Sequence, residues 1–410
     1  MTTDANDAPA SFLLRYQRKI ALAAAAWLAF MQAHSAEPDA VERELENVMM
    51  AAQQALAEPT AYAAGLTLVM EAWRHMELRG HWLLWQDILR AAVAVATEMK
   101  AASHTARLHD QLAETERLLG NNPAALAQFE TALAAALQAD DMLQAGRILS
   151  HMSQVQLALG HLDAAEASCK QALAYVEGFN SPNDLGRIYN NWGLICQECR
   201  DLEQALVYYD LAEVYFEQVQ NRRGIGHIEN NRGDTYRMLQ RYAEAESHIR
   251  NALTFFQELE DELCQALALN NLSIVLFKQK LLVEALSLNI ACETKSHRLH
   301  NIALLARVYN NRGLLLAEQA KTREAQTMFE ESAALHLKNS NRIYAIDTLH
   351  NCIEMLLDSG NNMEAINNLL ARIRVLFSQL TDTPLWLTND YICLISRLAT
   401  PNITAQPSQE

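Results

Sequence analysis

An alanine recurs every forty residues. It stands at Ala125, Ala165, Ala205, Ala245, Ala285, Ala325 and Ala365, and a register held that long restricts the chain to a stack of one supersecondary unit. The stretch from Gly186 to Gly224 shows what the unit is. Gly193 is followed by Ala205, Tyr209 and Ala212, and the last three lie at i, i+4 and i+7, one face of one helix. Tyr189, Trp192 and Cys196 form an apolar stripe on the helix before. Each copy therefore reads as two antiparallel helices, A then B, expected to cross closely where Gly193 faces Ala205. The turn between them falls on Gly120, Gly160, Arg200, Gln240, Lys280, Ala320 and Gly360. No proline occurs between Pro182 and Pro384, so the strongest helix breaker is missing where the pattern is clearest. The fold class is all-α, and a 410-residue chain of this kind grows by stacking and needs no single large core.

The pattern resembles the tetratricopeptide repeat (TPR) family, marked by a small residue on helix A, then alanine, a large apolar residue and alanine on helix B. The small site reads Ala113, Ser153, Gly193, Gly233, Ser273, Gly313 and Ile353, and the large site Phe129, Cys169, Tyr209, Ile249, Asn289, Phe329 and Leu369. Asn289 and Ile353 depart from it, the proline that often closes a unit is missing, and the period is 40 instead of the family's usual 34. The resemblance implies a TPR-like α-solenoid of antiparallel hairpins in a right-handed superhelix over about residues 65–380, similar to kinesin-light-chain, Rap-type and bacterial signalling-sensor arrays. It says little about activity.

In chain order, residues 1–10 read as a disordered polar tail and 11–60 as an N-terminal capping hairpin. Arg15, Arg18 and Lys19 precede an apolar run from Ile20 to Met31, too short to span a bilayer. With Ala33-His34-Ser35 behind it, residues 15–35 also fit a secretory signal, and both readings stay open. Residues 61–100 form a degenerate repeat: Gly80 keeps the turn slot, but Trp73 and Trp85 occupy places where small residues belong, and with Trp82 they are expected to wedge the hairpin apart. Seven hairpins fill 101–380, a capping helix follows the break at Pro384 over 381–399, and 400–410 read as a second disordered tail.

Lysine and arginine number 33 against 49 acidic residues, a net charge of −16, without a basic cluster; direct nucleic-acid binding is not expected. Seven cysteines without framework spacing point to reduced thiols and a cytoplasmic protein. Cys196 and Cys199 make a single CxxC at a helix end, read as core packing. Glu293, His297 and His300 share a helix face without ligands from a second segment. No P-loop, dinucleotide fingerprint or nucleophile elbow is present. The expectation is a protein that is no enzyme, needs no cofactor or metal and meets no membrane.

The chemistry sits in a repeated asparagine pair on helix A: Asn190-Asn191, Asn230-Asn231, Asn270-Asn271 and Asn310-Asn311, then His350-Asn351, with Ser150-His151 earlier. Asparagine costs up to about 0.7 kcal/mol against alanine inside a helix, so its repetition needs compensation. In kinesin light chains, Rap-type pheromone receptors and O-GlcNAc transferases, similar ladders on the concave side hold an extended polypeptide. That resemblance implies rungs at Asn191, Asn231, Asn271, Asn311 and Asn351, with His151 a sixth; a carboxamide offers the donor and acceptor a peptide backbone needs. The alternative is that the amides bond neighbouring helices and fix repeat stacking. One turn away stand Arg147, Arg187, His227, Arg307 and Asp347 on one side and Asp234 and Glu354 on the other. They make the inner wall basic toward the first repeats and acidic near the last. The function expected is a non-catalytic adaptor or sensor holding an extended peptide in its concave groove. The alternative is a regulatory or sensor subunit of a larger bacterial signalling assembly, such as a signalling ATPase, CHAT protease or transcription activator, with a small ligand.

Overall fold

The computed structural model describes residues 7–35, 37–360, 362–380, 383 and 385–399. Among them run nineteen helices and no strand: α1 (Asp7–Ala33), α2 (Pro38–Leu56), α3 (Tyr62–Arg79), α4 (Trp82–Glu98), α5 (Ala102–Leu118), α6 (Asn122–Gln138), α7 (Met142–Ala158), α8 (Leu162–Val176), α9 (Pro182–Glu198), α10 (Leu202–Gln218), α11 (Arg222–Met238), α12 (Tyr242–Glu258), α13 (Glu262–Lys278), α14 (Leu282–Arg298), α15 (Ile302–Glu318), α16 (Thr322–Lys338), α17 (Arg342–Asp358), α18 (Met363–Phe377) and α19 (Leu385–Ala399). One compact unit takes the chain up to Met152 with Gln171–Ser181 and Phe256–Leu263; a second takes Ser153–Lys170, Pro182–Phe255 and the chain from Cys264 onward. Among the described residues no helix is long and apolar enough to cross a membrane.

The forty-residue period has a simple origin. A helix such as α9 or α10 holds 17 residues, about 25 Å, and a three-residue turn completes each half. Every A-to-B turn residue is left-handed, with φ of 87° at Gly120, 82° at Gly160, 63° at Arg200, 60° at Gln240, 67° at Lys280, 59° at Ala320 and 69° at Gly360. Glycine adopts this conformation freely, whereas the other four carry a steric cost. Backbone bonds hold them there: Arg200 N–H donates to Gln197 O at 3.1 Å and Asp201 N–H to Cys196 O at 2.9 Å, satisfying carbonyls the helix end would leave open. At the next start, Asn221, Asn301 and Asn341 accept from the backbone N–H of Gly224, Leu304 and Tyr344, capping α11, α15 and α17.

Within the second unit the hairpins close by seating a large side chain on a small one. A Cβ on Gly193 would lie 2.3 Å from the Tyr209 ring, on Gly233 2.4 Å from Ile249 and on Gly313 2.6 Å from Phe329. At Gly193 the tyrosine ring fills the crossing, and at the equivalent Gly233 the Ala245 carbonyl also lies 3.0 Å from such a Cβ. Phe216 plays the same part between successive A helices, lying against Gly186 of α9 and Gly224 of α11, where a Cβ would approach it to 2.8 and 2.7 Å. Asn289 stands in for the expected apolar residue as a satisfied polar plug. It is fully buried, its Nδ2 donates to Val308 O at 3.0 Å and its Oδ1 accepts from Arg312 Nε at 2.9 Å. At the far end, Leu387 and Leu394 of α19 are buried with Leu369 and Ile373 of α18.

The first unit has its own core, in which Trp85 is buried with Leu68, Met76 and Ile88. Trp82 is also buried, and Trp73 lies 6.3 Å from it, ring to ring. α3 packs chiefly on α1 and α2 instead of on α4. Ile20 and Ala24, in the run that also reads as a signal, pack with Ala55 and Ala61. Residues 7–10, expected to be a disordered tail, belong to α1. Residues 1–6, Pro384 and the tail from 400 lie outside the described residues.

Two substitutions of opposite sign test this account. Gly193→Ala is expected to cost about 1–3 kcal/mol by overpacking against Tyr209. Ala320→Gly is expected to gain about 0.5–1 kcal/mol, left-handed strain relieved less the added freedom of the unfolded chain. Urea unfolding of the full chain measures both.

Candidate functional site

The asparagine pairs form a ladder between successive A helices. Asn231 Nδ2 donates to Asn190 Oδ1 at 2.8 Å, Asn271 to Asn230 at 3.1 Å, Asn311 to Asn270 at 2.8 Å and Asn351 to Asn310 at 3.2 Å. Each bond joins residues 41 apart, so the second asparagine of one repeat reaches the first of the repeat before. Asn191 uses different partners: its Nδ2 donates to Ser153 Oγ at 3.0 Å and its Oδ1 accepts from Gln154 Nε2 at 2.8 Å. In the first unit His151 keeps the same 41-residue offset, with Nδ1 2.9 Å from Asp110 Oδ1. Asn191 is 2 % exposed, Asn311 5 % and Asn271 8 %. Each of Asn191, Asn231, Asn271, Asn311 and Asn351 thus gives one of its two amide hydrogens to a neighbouring A helix, and Asn231 and Asn351 are only half-buried. The bonds between A helices are those of the stacking alternative that the sequence left open, and they leave each carboxamide a second hydrogen.

The neighbouring positions divide. Arg307 Nη2 donates to Asn271 Oδ1 at 3.1 Å, joining the ladder. His227 Nε2 lies 3.6 Å from Cys264 Sγ. Arg147, in the first unit, and Arg187, in the second, are half-buried. Asp234 is bound by Arg237 Nε and Gln197 Nε2, each at 2.7 Å.

Asp234 and Arg307 also belong to a cluster within the second unit that draws on four A helices. α9 gives Glu198, α11 Asp234 and Arg237, α15 Arg307, and α17 Tyr344 and Asp347. Tyr344 Oη donates to Glu198 Oε1 at 3.5 Å, across 146 residues of chain. The charges feel one another. Burial raises the Asp234 carboxyl, but Arg237 and then Arg307 outweigh it and leave its pKa lowered. Glu198 is raised by burial, only partly offset by Arg200. Burial pushes Asp347 up to about 6 against the pull of His350, Arg200 and Arg237. Tyr344 is raised, first by Glu198 and then by burial. Yet Tyr344 keeps 37 % of its surface exposed and Asp347 is half-buried. Tyr344 and Asp347 thus remain partly open to solvent. Arg200 lies over the Trp386 ring at 5.4 Å.

The sequence reading found Asp234, Arg307 and Asp347, one turn from the asparagines. Glu198, Arg237 and Tyr344 escaped it because they sit a further turn along, or on the opposite side of the rung. Burial pushes the Cys196 thiol up to about 11 and also raises Cys199, so the CxxC pair holds thiols and not reactive thiolates. His297 Nε2 is 3.9 Å from Glu293, whose other oxygen binds Arg312 at 2.6 Å.

Asn311→Ala is expected to cost about 1–3 kcal/mol, since it strands the buried Asn270 oxygen. Asp347 titrates above its ordinary 3.8 in the folded chain, so it favours folding fully below pH 4, and that contribution is lost as pH rises through 6. Asp347→Asn is therefore expected to raise Tm at pH 8 and leave it unchanged at pH 4; calorimetry at both values checks it.

Residues 224–290 match the family model for the tetratricopeptide repeat. No curated protein matches the sequence. Among solved structures, the chain is similar to a Rap protein complexed with Competence and Sporulation Factor, at 15 % identity over 89 % of this chain and 99 % of that one, with a TM-score of 0.62. It is also similar to aspartyl phosphate phosphatase F from Bacillus subtilis, at 13 % identity over 88 % and 94 % of the two chains, TM-score 0.53. The apo form of RapI matches at 13 % identity over 67 % of this chain and 99 % of that one, TM-score 0.51. At such identities the likeness is one of fold.

Proposed function

From the premise that this chain is a tetratricopeptide-repeat solenoid, we propose that it is a non-catalytic adaptor or sensor whose A-helix wall in the second unit holds an extended peptide bearing a basic group. The observation that carries this is the pair Glu198 and Asp347. Both carboxyls are raised by burial, a sign that the nearby arginines leave negative charge undercompensated on a surface still open to solvent. A lysine or arginine side chain entering there supplies the missing charge and forms charge-assisted hydrogen bonds. Arg307, beside them, keeps further guanidinium N–H groups for a peptide carbonyl. The Rap protein of similar fold is complexed with Competence and Sporulation Factor, which supports a solenoid of this kind acting by holding a ligand. Seven free cysteines fit a cytoplasmic setting.

Such a ligand requires ionised Asp347, so binding strengthens as pH rises through about 6. The test is selection of a random extended-peptide library on the full chain at pH 7.5. Enrichment of lysine or arginine at one fixed position is expected, and Glu198→Gln with Asp347→Asn should abolish it. Peptides that show no basic preference, or that bind the double variant equally well, would refute the reading.

A further inference from the structure

We propose that Glu42, His75 and His81, in the first unit, form a binding site for a divalent transition-metal ion, Zn2+ before others. The three come from different elements. Glu42 is on α2, His75 near the end of α3, and His81 caps the start of α4. Gly80 between the histidines is left-handed, with φ of 80°, and this turn folds His81 back beside His75 so that the rings lie 16° from parallel. Both rings aim the same nitrogen at one carboxylate: His75 Nε2 is 2.9 Å from Oε2 and His81 Nε2 is 2.8 Å from Oε1.

The ligand atoms of the three residues all lie within 4.8 Å of one another. Ligands in a tetrahedral zinc site with bonds of about 2.0–2.1 Å stand roughly 3.3 Å apart. Small side-chain rotations therefore make room for an ion where two N–H hydrogens now bridge to Glu42, each imidazole moving its proton to Nδ1. Two nitrogens and a carboxylate suit zinc and its neighbours, not magnesium or calcium, which take oxygen. Arg79, whose charge reaches His75, is held by Asp39 at 2.7 Å and Glu260 at 2.6 Å. Entry is open, because the Glu42 side chain is 39 % exposed and that of His81 26 %. Three protein ligands leave a fourth position for water or a group from outside.

The rival is a hydrogen-bonded clamp with no affinity for metal. The full chain, stripped with EDTA, is titrated with Zn2+ by calorimetry and with Co2+ by visible spectroscopy. One equivalent is expected to bind with Kd on the order of 1 μM or tighter, and the Co2+ spectrum to show d–d bands without a thiolate charge-transfer band. Glu42→Gln keeps an acceptor oxygen for the histidines but loses the charge, and His81→Gln alters a part-exposed side chain. Each is expected to weaken Zn2+ at least about tenfold. No binding by the wild type, unchanged binding in both variants, or a thiolate band would overturn the site.

Discussion

Everything in the second unit depends on how close two helices come at each crossing. With glycine at 193, 233 and 313, a B-helix ring or branched chain sinks onto the A-helix backbone, and the pair behaves as one rigid piece. Phe216, caught between Gly186 and Gly224, passes the same constraint to the next repeat. Only when every A helix stands at a constant spacing can a carboxamide meet its counterpart 41 residues back. The ladder bonds of 2.8–3.2 Å are consequences of that spacing. They also refine it, because a buried amide left unpaired costs more than a paired one contributes.

That economy decides where function can reside. A carboxamide that fixes the stack has one of its two hydrogens engaged by a neighbouring helix. The positions left for recognition lie one or two turns along the same helices, where four A helices bring carboxylates, guanidinium groups and a phenol together. There the disagreement between burial and charge stands out. Asp234 has Arg237 at 2.7 Å and is stabilised as an anion, whereas Glu198 and Asp347 are desolvated without a matching salt bridge of their own. Carboxyls in that condition are costly when ionised, and the proposed basic ligand would remove the cost.

The fold was legible because repetition multiplies weak signals: one alanine in a helix means little, and seven at a fixed interval define the architecture. The turn slots were legible for the same reason, even where Arg200 or Lys280 replaces glycine. The inter-helix bonding of the asparagines was not, since Asn191 and Asn231 look alike whether they face a groove or a neighbouring helix; the 41-residue offset that joins Asn231 to Asn190 is one residue from the repeat length and becomes visible only in three dimensions. Tyr344 and Glu198 meet across 146 residues, and no pattern along the chain announces such a pair. The His75, His81 and Glu42 cluster was missed for a related reason: its histidine spacing matches no familiar motif, and the left-handed turn at Gly80 brings the rings together.

A repeat array is usually a sum of nearest-neighbour interfaces, free to fray or open anywhere along its length. The bond between Tyr344 and Glu198 joins α17 to α9, and the stacking of Arg200 on Trp386 joins the turn after α9 to α19, segments that are not neighbours in the chain. A ligand bridging Glu198 and Asp347 would strengthen this link in proportion to its affinity, by the mass-action relation between binding and stability. Occupancy at the wall thus couples directly to how readily the unit opens, and the coupling needs no signal relayed through the packed cores. On the proposed reading, a peptide bound there would change how readily the second unit opens without any change in its packed core.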